Sequence, residues 1–221
     1  MARFTDESIT TARLVSFSDG VFAIAVTLLV FNIKVPALYP AEVHERLPGV
    51  IFAMLPIFVT YLLTFLVIAI YWIFHHRMLN LVVRIDKPFL WMNIYFLLFI
   101  SFIPFPAALL GTYTSETFSF IFYIGSMIAV SCLAMLMLGY SSGKSGLIKD
   151  GVPRAFIRYL FFRQFTTVFV FITSIPVVIF EPSWAKYYLF LIFPIHQLTK
   201  KQFRKYAGEQ PDGSFLNNKK N

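Results

Sequence analysis

Apolar and polar positions fall in long blocks along this chain, not in the short alternation of a half-buried strand or the one-sided stripe of a soluble helix. No formal charge occurs between Arg46 and Arg77, from Leu90 to Ser115, or from Thr117 to Gly143. About 20 apolar residues suffice to cross a bilayer, and these runs are long enough even when tilted. The blocks predict an all-α integral membrane protein with six transmembrane helices, at 13–34, 48–74, 88–110, 117–141, 156–180 and 184–200. Together they form one membrane domain over residues 1–200. The first breaks are polar: Lys34 to Pro48 holds Glu42, Glu45 and Arg46, and His75 to Pro88 holds Arg77, Arg84, Asp86 and Lys87. Gly111 to Thr117 is a short turn, and the Ser, Gly and Lys content of Gly139 to Arg154 predicts a flexible loop. Pro176 and the Glu181–Pro182–Ser183 turn interrupt the last two blocks, so a re-entrant pair competes with two full crossings. Two crossings put Arg158 and Lys200 on one side, which the charge distribution favours. Pro104 and Pro106 predict a kink or stop in the third helix, and Pro56 and Pro176 bends in the second and fifth, because proline lacks the amide a helix ladder needs.

Composition sharpens this picture. The 221 residues are 58% hydrophobic and 14% charged, where a soluble domain carries about a quarter charged residues. That excludes a soluble protein and most cytosolic enzymes. The net charge of +8 suggests nucleic acid until the positions are inspected. With six spans, sixteen of the 19 basic residues lie on one side, leaving Lys34, Arg46 and Lys186 on the other. Basic residues favour the cytoplasmic face, so both termini are expected there and no nucleic-acid partner is. Residues 201–221 read as a polar, disordered cytoplasmic tail, with Lys200, Lys201, Arg204 and Lys205 placed to touch anionic lipid. Cleavage of the first helix as a signal peptide is disfavoured, because Asp6 and Glu7 precede its apolar core where a basic region is required. Cys132 is the single cysteine, which excludes an intrachain disulfide and any thiolate cluster.

Chemistry concentrates in the first helix. Ser16, Ser18 and Asp19 are polar, and Gly20, Ala23 and Ala25 are small. Asp19 is the single acid expected within a span; its candidate roles are pairing with Arg13, His75, His76 or Arg77, contact with a passing cation, or proton relay. Residues three and four apart share a helix face, so Phe17, Gly20, Ile24, Thr27, Leu28 and Phe31 form one stripe. The stripe suits lipid or packing as well as it suits a pore with an apolar constriction. Thr27 is its hydroxyl, and by default bonds to its own helix backbone. His75, His76 and Asp86 do not have metalloprotease spacing, since adjacent histidines point in different directions on a helix.

The run Arg13, then Phe17-Ser18-Asp19-Gly20-Val21-Phe22-Ala23-Ile24-Ala25-Val26-Thr27-Leu28-Leu29, resembles the signature of the transmembrane protein 175 family of potassium channels in its prokaryotic form. Tyr71-Trp72, His75-His76, Asn93 and Phe102 to Pro106 extend the resemblance. It implies a six-span subunit in a homotetramer whose pore is lined by the first helix, without a pore loop or Thr-Val-Gly-Tyr-Gly filter. It further implies Ile24 as the main constriction, Leu28 and Phe31 as further lining and gate residues, and Thr27 as the selectivity hydroxyl. Potassium would pass near Ile24, Thr27 and Leu28. Arg13, Ser18, Asp19, His75 and His76 would hold the cytoplasmic end together. Phe31 is bulkier than the Leu or Val expected at that level. The expected protein is a potassium-selective channel in the bacterial inner membrane, surrounded by lipid. No enzymatic activity, cofactor, structural metal or small-molecule substrate is expected. An ion-coupled secondary transporter, or a non-conducting scaffold, is the alternative; a transporter ordinarily shows repeats or broken helices around a midplane site.

Overall fold

The computed structural model describes residues 10–143, 146–181, 185 and 187–207. Helix α1, Thr11–Leu28, starts at Thr10, whose hydroxyl accepts from the Arg13 amide, and tightens into a 3-10 turn at Leu29–Asn32. The chain continues through α2 (Val43–Ala53), α3 (Leu55–Leu79), α4 (Lys87–Phe102), α5 (Pro104–Thr112), α6 (Thr117–Gly143) and α7 (Arg154–Phe180). A 3-10 turn at Leu189–Leu191 leads into α8, Ile192–Ala207.

Proline positions explain the breaks. Pro104 opens α5 directly after Ile103, so the third apolar block folds as two consecutive helices. Pro56 does not bend a helix but starts one: the expected 48–74 span divides at Met54 into α2, which has no buried residue, and α3. Helix α3 then continues to Leu79 and carries His75, His76 and Arg77 within it. Asp86 starts α4, its Oδ1 accepting from the Phe89 amide at 3.0 Å while Oδ2 accepts from the Tyr140 hydroxyl at 2.7 Å.

Among the described residues, five helices are long and apolar enough to cross a membrane: Thr11–Asn32, Leu55–Leu79, Lys87–Thr112, Thr117–Gly143 and Arg154–Phe180. The six-span fold class is therefore corrected to five. The expected sixth crossing, 184–200, contains only Leu189–Thr199 as apolar helix. Those eleven residues rise roughly 16 Å at about 1.5 Å each, half of the bilayer's hydrocarbon thickness. They pack on α7 instead, with Leu189, Ile192, His196 and Thr199 buried along one stripe. Tyr188 bonds to Thr173 and His196 to Thr167, so α8 runs antiparallel to α7. Helix α8 carries on through 201–207, the first part of the expected disordered tail. The rest of that tail, 208–221, and the turn at 182–184 lie outside the described residues.

Helix α6 is the centre of the bundle, packed on α4, α5 and α7, while α1 lies against α3 and α4. Its core seam is Tyr123, Met127, Val130 and Ala134. Hydroxyls join the helices where lipid offers no partner: Tyr71 Oη donates to the Met127 carbonyl at 2.8 Å and lies 2.8 Å from Ser131 Oγ. The loop after α6 is tied down and not free. The Val83 amide donates to the Leu147 carbonyl and the Lys149 amide to the Leu81 carbonyl, with Gly146 and Gly151 supplying left-handed turns.

Candidate functional site

Helix α1 has two faces of opposite character. Leu14, Ser18, Phe22, Ala25 and Leu29 are buried against α3 and α4. The predicted stripe turns away from the bundle: Ile24 is 61% exposed and Phe31 74%, and Phe17, Gly20, Thr27 and Leu28 are exposed as well. An apolar surface of this length beside a fully packed face needs lipid or another chain to cover it. Phe31 sits in the 3-10 turn, where three residues complete a turn in place of 3.6, and so projects differently from an α-helical continuation of the stripe. The far end is pinned by Asn32, whose Nδ2 donates to the Pro104 carbonyl at 3.1 Å.

Thr27 Oγ1 lies 2.9 Å from both the Ala23 and the Ile24 carbonyl oxygens. Its single proton is thereby committed to the helix backbone. Its oxygen lone pairs remain as acceptors on an exposed residue.

The buried face carries a polar relay through three helices. Ser18 Oγ donates to the Leu14 carbonyl at 2.8 Å, which leaves it an acceptor for Asn93 Nδ2 on α4 at 3.3 Å. Asn93 Oδ1 is then the acceptor at 2.7 Å for His75 Nε2–H on α3. The His75 ring stacks on Phe96 with centroids 5.1 Å apart and leans on Phe22. Ser18, His75 and Asn93 are all buried. His75 is therefore a core group, and through Asn93 it helps to fix the rotation of α1.

Asp19 is half-buried and lies about 140° around α1 from Ile24, away from the exposed stripe. Its Oδ1 accepts from the Trp72 indole N–H at 2.8 Å, and the two residues border a cleft of about 370 Å³ between α1 and α3. None of the expected bases forms an ion pair with it among the described residues. His76 is related through Trp72, its ring 5.6 Å from the indole. Arg13 is exposed and forms no side-chain hydrogen bond among the described residues. The five residues assigned to one network thus divide into Ser18 with His75, Asp19 with His76 beside Trp72, and Arg13 apart. Asn93 and Trp72 are the members that residue type alone misses. Their signal is a lone amide in a charge-free block and an indole donor amid aliphatic residues. The W72F substitution keeps an aromatic ring against His76 but removes the donor. Thermal unfolding in detergent should show a loss of about 1 kcal/mol, within the range for hydrogen bonds between membrane helices.

Among the described residues, no group of three or more His, Cys, Asp or Glu side chains comes together in a way that would hold a metal. His75 is engaged with Asn93, and Asp86 caps α4.

Comparison with known proteins adds three findings. The family model described as endosomal/lysosomal potassium channel TMEM175 matches residues 13–104, the stretch from α1 to the α4–α5 break. A potassium channel of Chamaesiphon minutus is 42% identical over 103 residues, covering 47% of this chain and 50% of that protein. One from Streptomyces collinus is 39% identical over 106 residues, covering 48% and 50%. The chain thus spans about half the length of these relatives. In fold, the chain is similar to the crystal structure of a lysosomal potassium-selective channel TMEM175 homologue from Chamaesiphon minutus. The TM-score is 0.71 at 24% identity, over 87% of this chain and 97% of that one.

Proposed function

We propose, from the premise that this chain is a homologue of the bacterial TMEM175-family potassium channels, that it conducts potassium selectively through a pore lined by α1. The kinship is with a transport family and not with enzymes, and the chain is a multi-pass membrane protein. The observation that carries the proposal is the exposed stripe Ile24–Thr27–Leu28 on a helix whose opposite face is locked by Ser18, Asn93 and His75. One helix cannot enclose a path, so several copies must bring their stripes to a common axis, and closed cyclic symmetry is the usual solution. Four copies form the proposed assembly.

In that ring Ile24 is the narrowest layer and Leu28 a second apolar one, with Phe31 toward the far mouth. Branched apolar rings hold little water and gate by dewetting. Thr27 supplies oxygen lone pairs between them, replacing part of the hydration shell of potassium. The start of α1 faces the cytoplasm of a bacterial cell, on the side that holds most basic residues.

The test is current from purified protein in planar bilayers under opposed potassium and sodium gradients. Reversal near the potassium equilibrium potential is expected, and ion-coupled uptake without current would instead mark a transporter. T27V, nearly the same size without the hydroxyl, should shift the reversal potential toward that of sodium with assembly intact. A monomeric mass in mild detergent, with activity retained in vesicles, would overturn the ring.

A further inference from the structure

The cleft between α1 and α3 has a polar end and an apolar length. Asp19 and Trp72 stand at one end, joined by the 2.8 Å bond from the indole N–H to Oδ1. Val26 and Phe65 border the same cleft, seven residues further along α1 and seven residues back along α3. The two helices run antiparallel, since Leu29 and Asn32 beyond the end of α1 share a smaller pocket with Ile57 and Thr60 near the start of α3. Seven residues rise about 10 Å, so the cleft is a slot roughly that long. Its hollow comes from Ala23 on α1 and Ala69 on α3, which both line it. Neither side chain is long enough to fill the space of about 370 Å³.

Asp19 is the only acidic residue in either helix. It lies eight residues into α1, about 12 Å along the axis. A carboxylate at that depth is costly unless donors or a cation compensate it. The indole gives one hydrogen bond to one oxygen, and no base forms an ion pair with Asp19 among the described residues. The complementary group is a single positive charge brought to the end of an apolar slot. A phospholipid headgroup stays above this level, whereas a lipophilic amine carries its charge inward beside its own apolar body. Tryptophan is also the aromatic side chain that best attracts an ammonium. The volume falls within the roughly 300–1,000 Å³ of small-molecule sites, whose walls are mostly apolar with a few placed polar groups. We propose that this cleft is a binding site for a lipophilic monovalent amine. Its ammonium sits on Asp19 beside Trp72, and its apolar body lies between Ala23 and Ala69 toward Val26 and Phe65. Ile24, Thr27 and Leu28 do not line the cleft, so the site does not depend on conduction along their stripe.

The test is photolabelling of the full chain in lipid nanodiscs with a diazirine-bearing n-octylammonium, mapped by peptide mass spectrometry. Label should fall on residues 19–26 and 65–72 and saturate with concentration. Unlabelled n-octylammonium should compete severalfold better than n-octanol, which has the same chain without the charge. D19N keeps the slot and removes the charge, whereas A69L fills the slot and leaves Asp19 in place. Each should lower the competed label severalfold, and A69L serves if D19N does not fold. Equal competition by n-octanol would overturn the amine as the ligand. Label unchanged in both variants, or lying outside the two segments, would overturn the site. Label that appears only after copies are dissociated would show that a second copy fills the cleft, and would overturn the proposal as well.

Discussion

Replacing Ile24 with alanine is expected to raise single-channel conductance severalfold and to bring the potassium-to-sodium permeability ratio toward unity. Ile24 is exposed on the outward stripe of α1, and its backbone is held by a buried face that the substitution does not touch. In a ring, shrinking one side chain removes volume and apolar surface from every subunit at the same level. A wider, better-hydrated constriction then lets sodium pass without shedding its shell. Were Ile24 against lipid, the same change would leave permeation nearly as it was. Thiol chemistry separates the two outcomes. Cys132 is the only cysteine and is exposed, so I24C is made in a C132S background. A small thiol reagent added from the cytoplasmic side should block current progressively during opening. Unchanged current, with modification of the introduced thiol proven by mass, would remove Ile24 from the pore and with it the lining role of α1.

The N93A substitution should produce the largest loss of stability among single changes around α1. Asn93 is the shared partner of His75 and Ser18, at 2.7 and 3.3 Å, and all three are buried. Its removal leaves the His75 Nε2 proton without an acceptor and Ser18 without its donor. A buried group left unmatched costs about 1–3 kcal/mol, so thermal unfolding in detergent should shift by at least one such step. S18A should cost less, because it breaks only the longer contact and leaves the 2.7 Å bond in place. The double variant should cost less than the sum of the two, because the pair contact can be lost only once. Since the relay fixes the rotation of α1, N93A channels that still assemble should also show altered selectivity. Additive costs in the double variant would mean that Ser18 and Asn93 do not communicate.

Hydropathy alone suffices for the five long helices, because a bilayer demands an uninterrupted apolar length and the chain supplies it between charged breaks. It overcounts at 184–200, where apolar residues are numerous but the helix they form is short and begins with a 3-10 turn. It likewise joins α2 to α3, since a proline that starts a helix and one that bends it look alike in a hydropathy profile. Gly139 to Arg154 reads as a flexible loop from its Ser, Gly and Lys content, yet its backbone at 147–149 pairs with residues 81–83, a contact between segments that no local pattern encodes.

For α1 the period of 3.6 residues already separates Phe17, Gly20, Ile24, Thr27, Leu28 and Phe31 from the polar positions, and the structure shows them on one exposed face. Partner choice is different. Asp19 is expected beside a base but accepts from Trp72, and His75, offered as one of those bases, is bonded to Asn93 inside the bundle. The sequence by itself determined a membrane protein and the two-faced first helix, because charge and period are properties of single segments. Only the tertiary structure decided which polar groups meet. Lipid and protein interior are equally apolar, so hydropathy does not encode how far each helix rotates about its axis. That rotation alone brings residues 18, 75 and 93 into one relay.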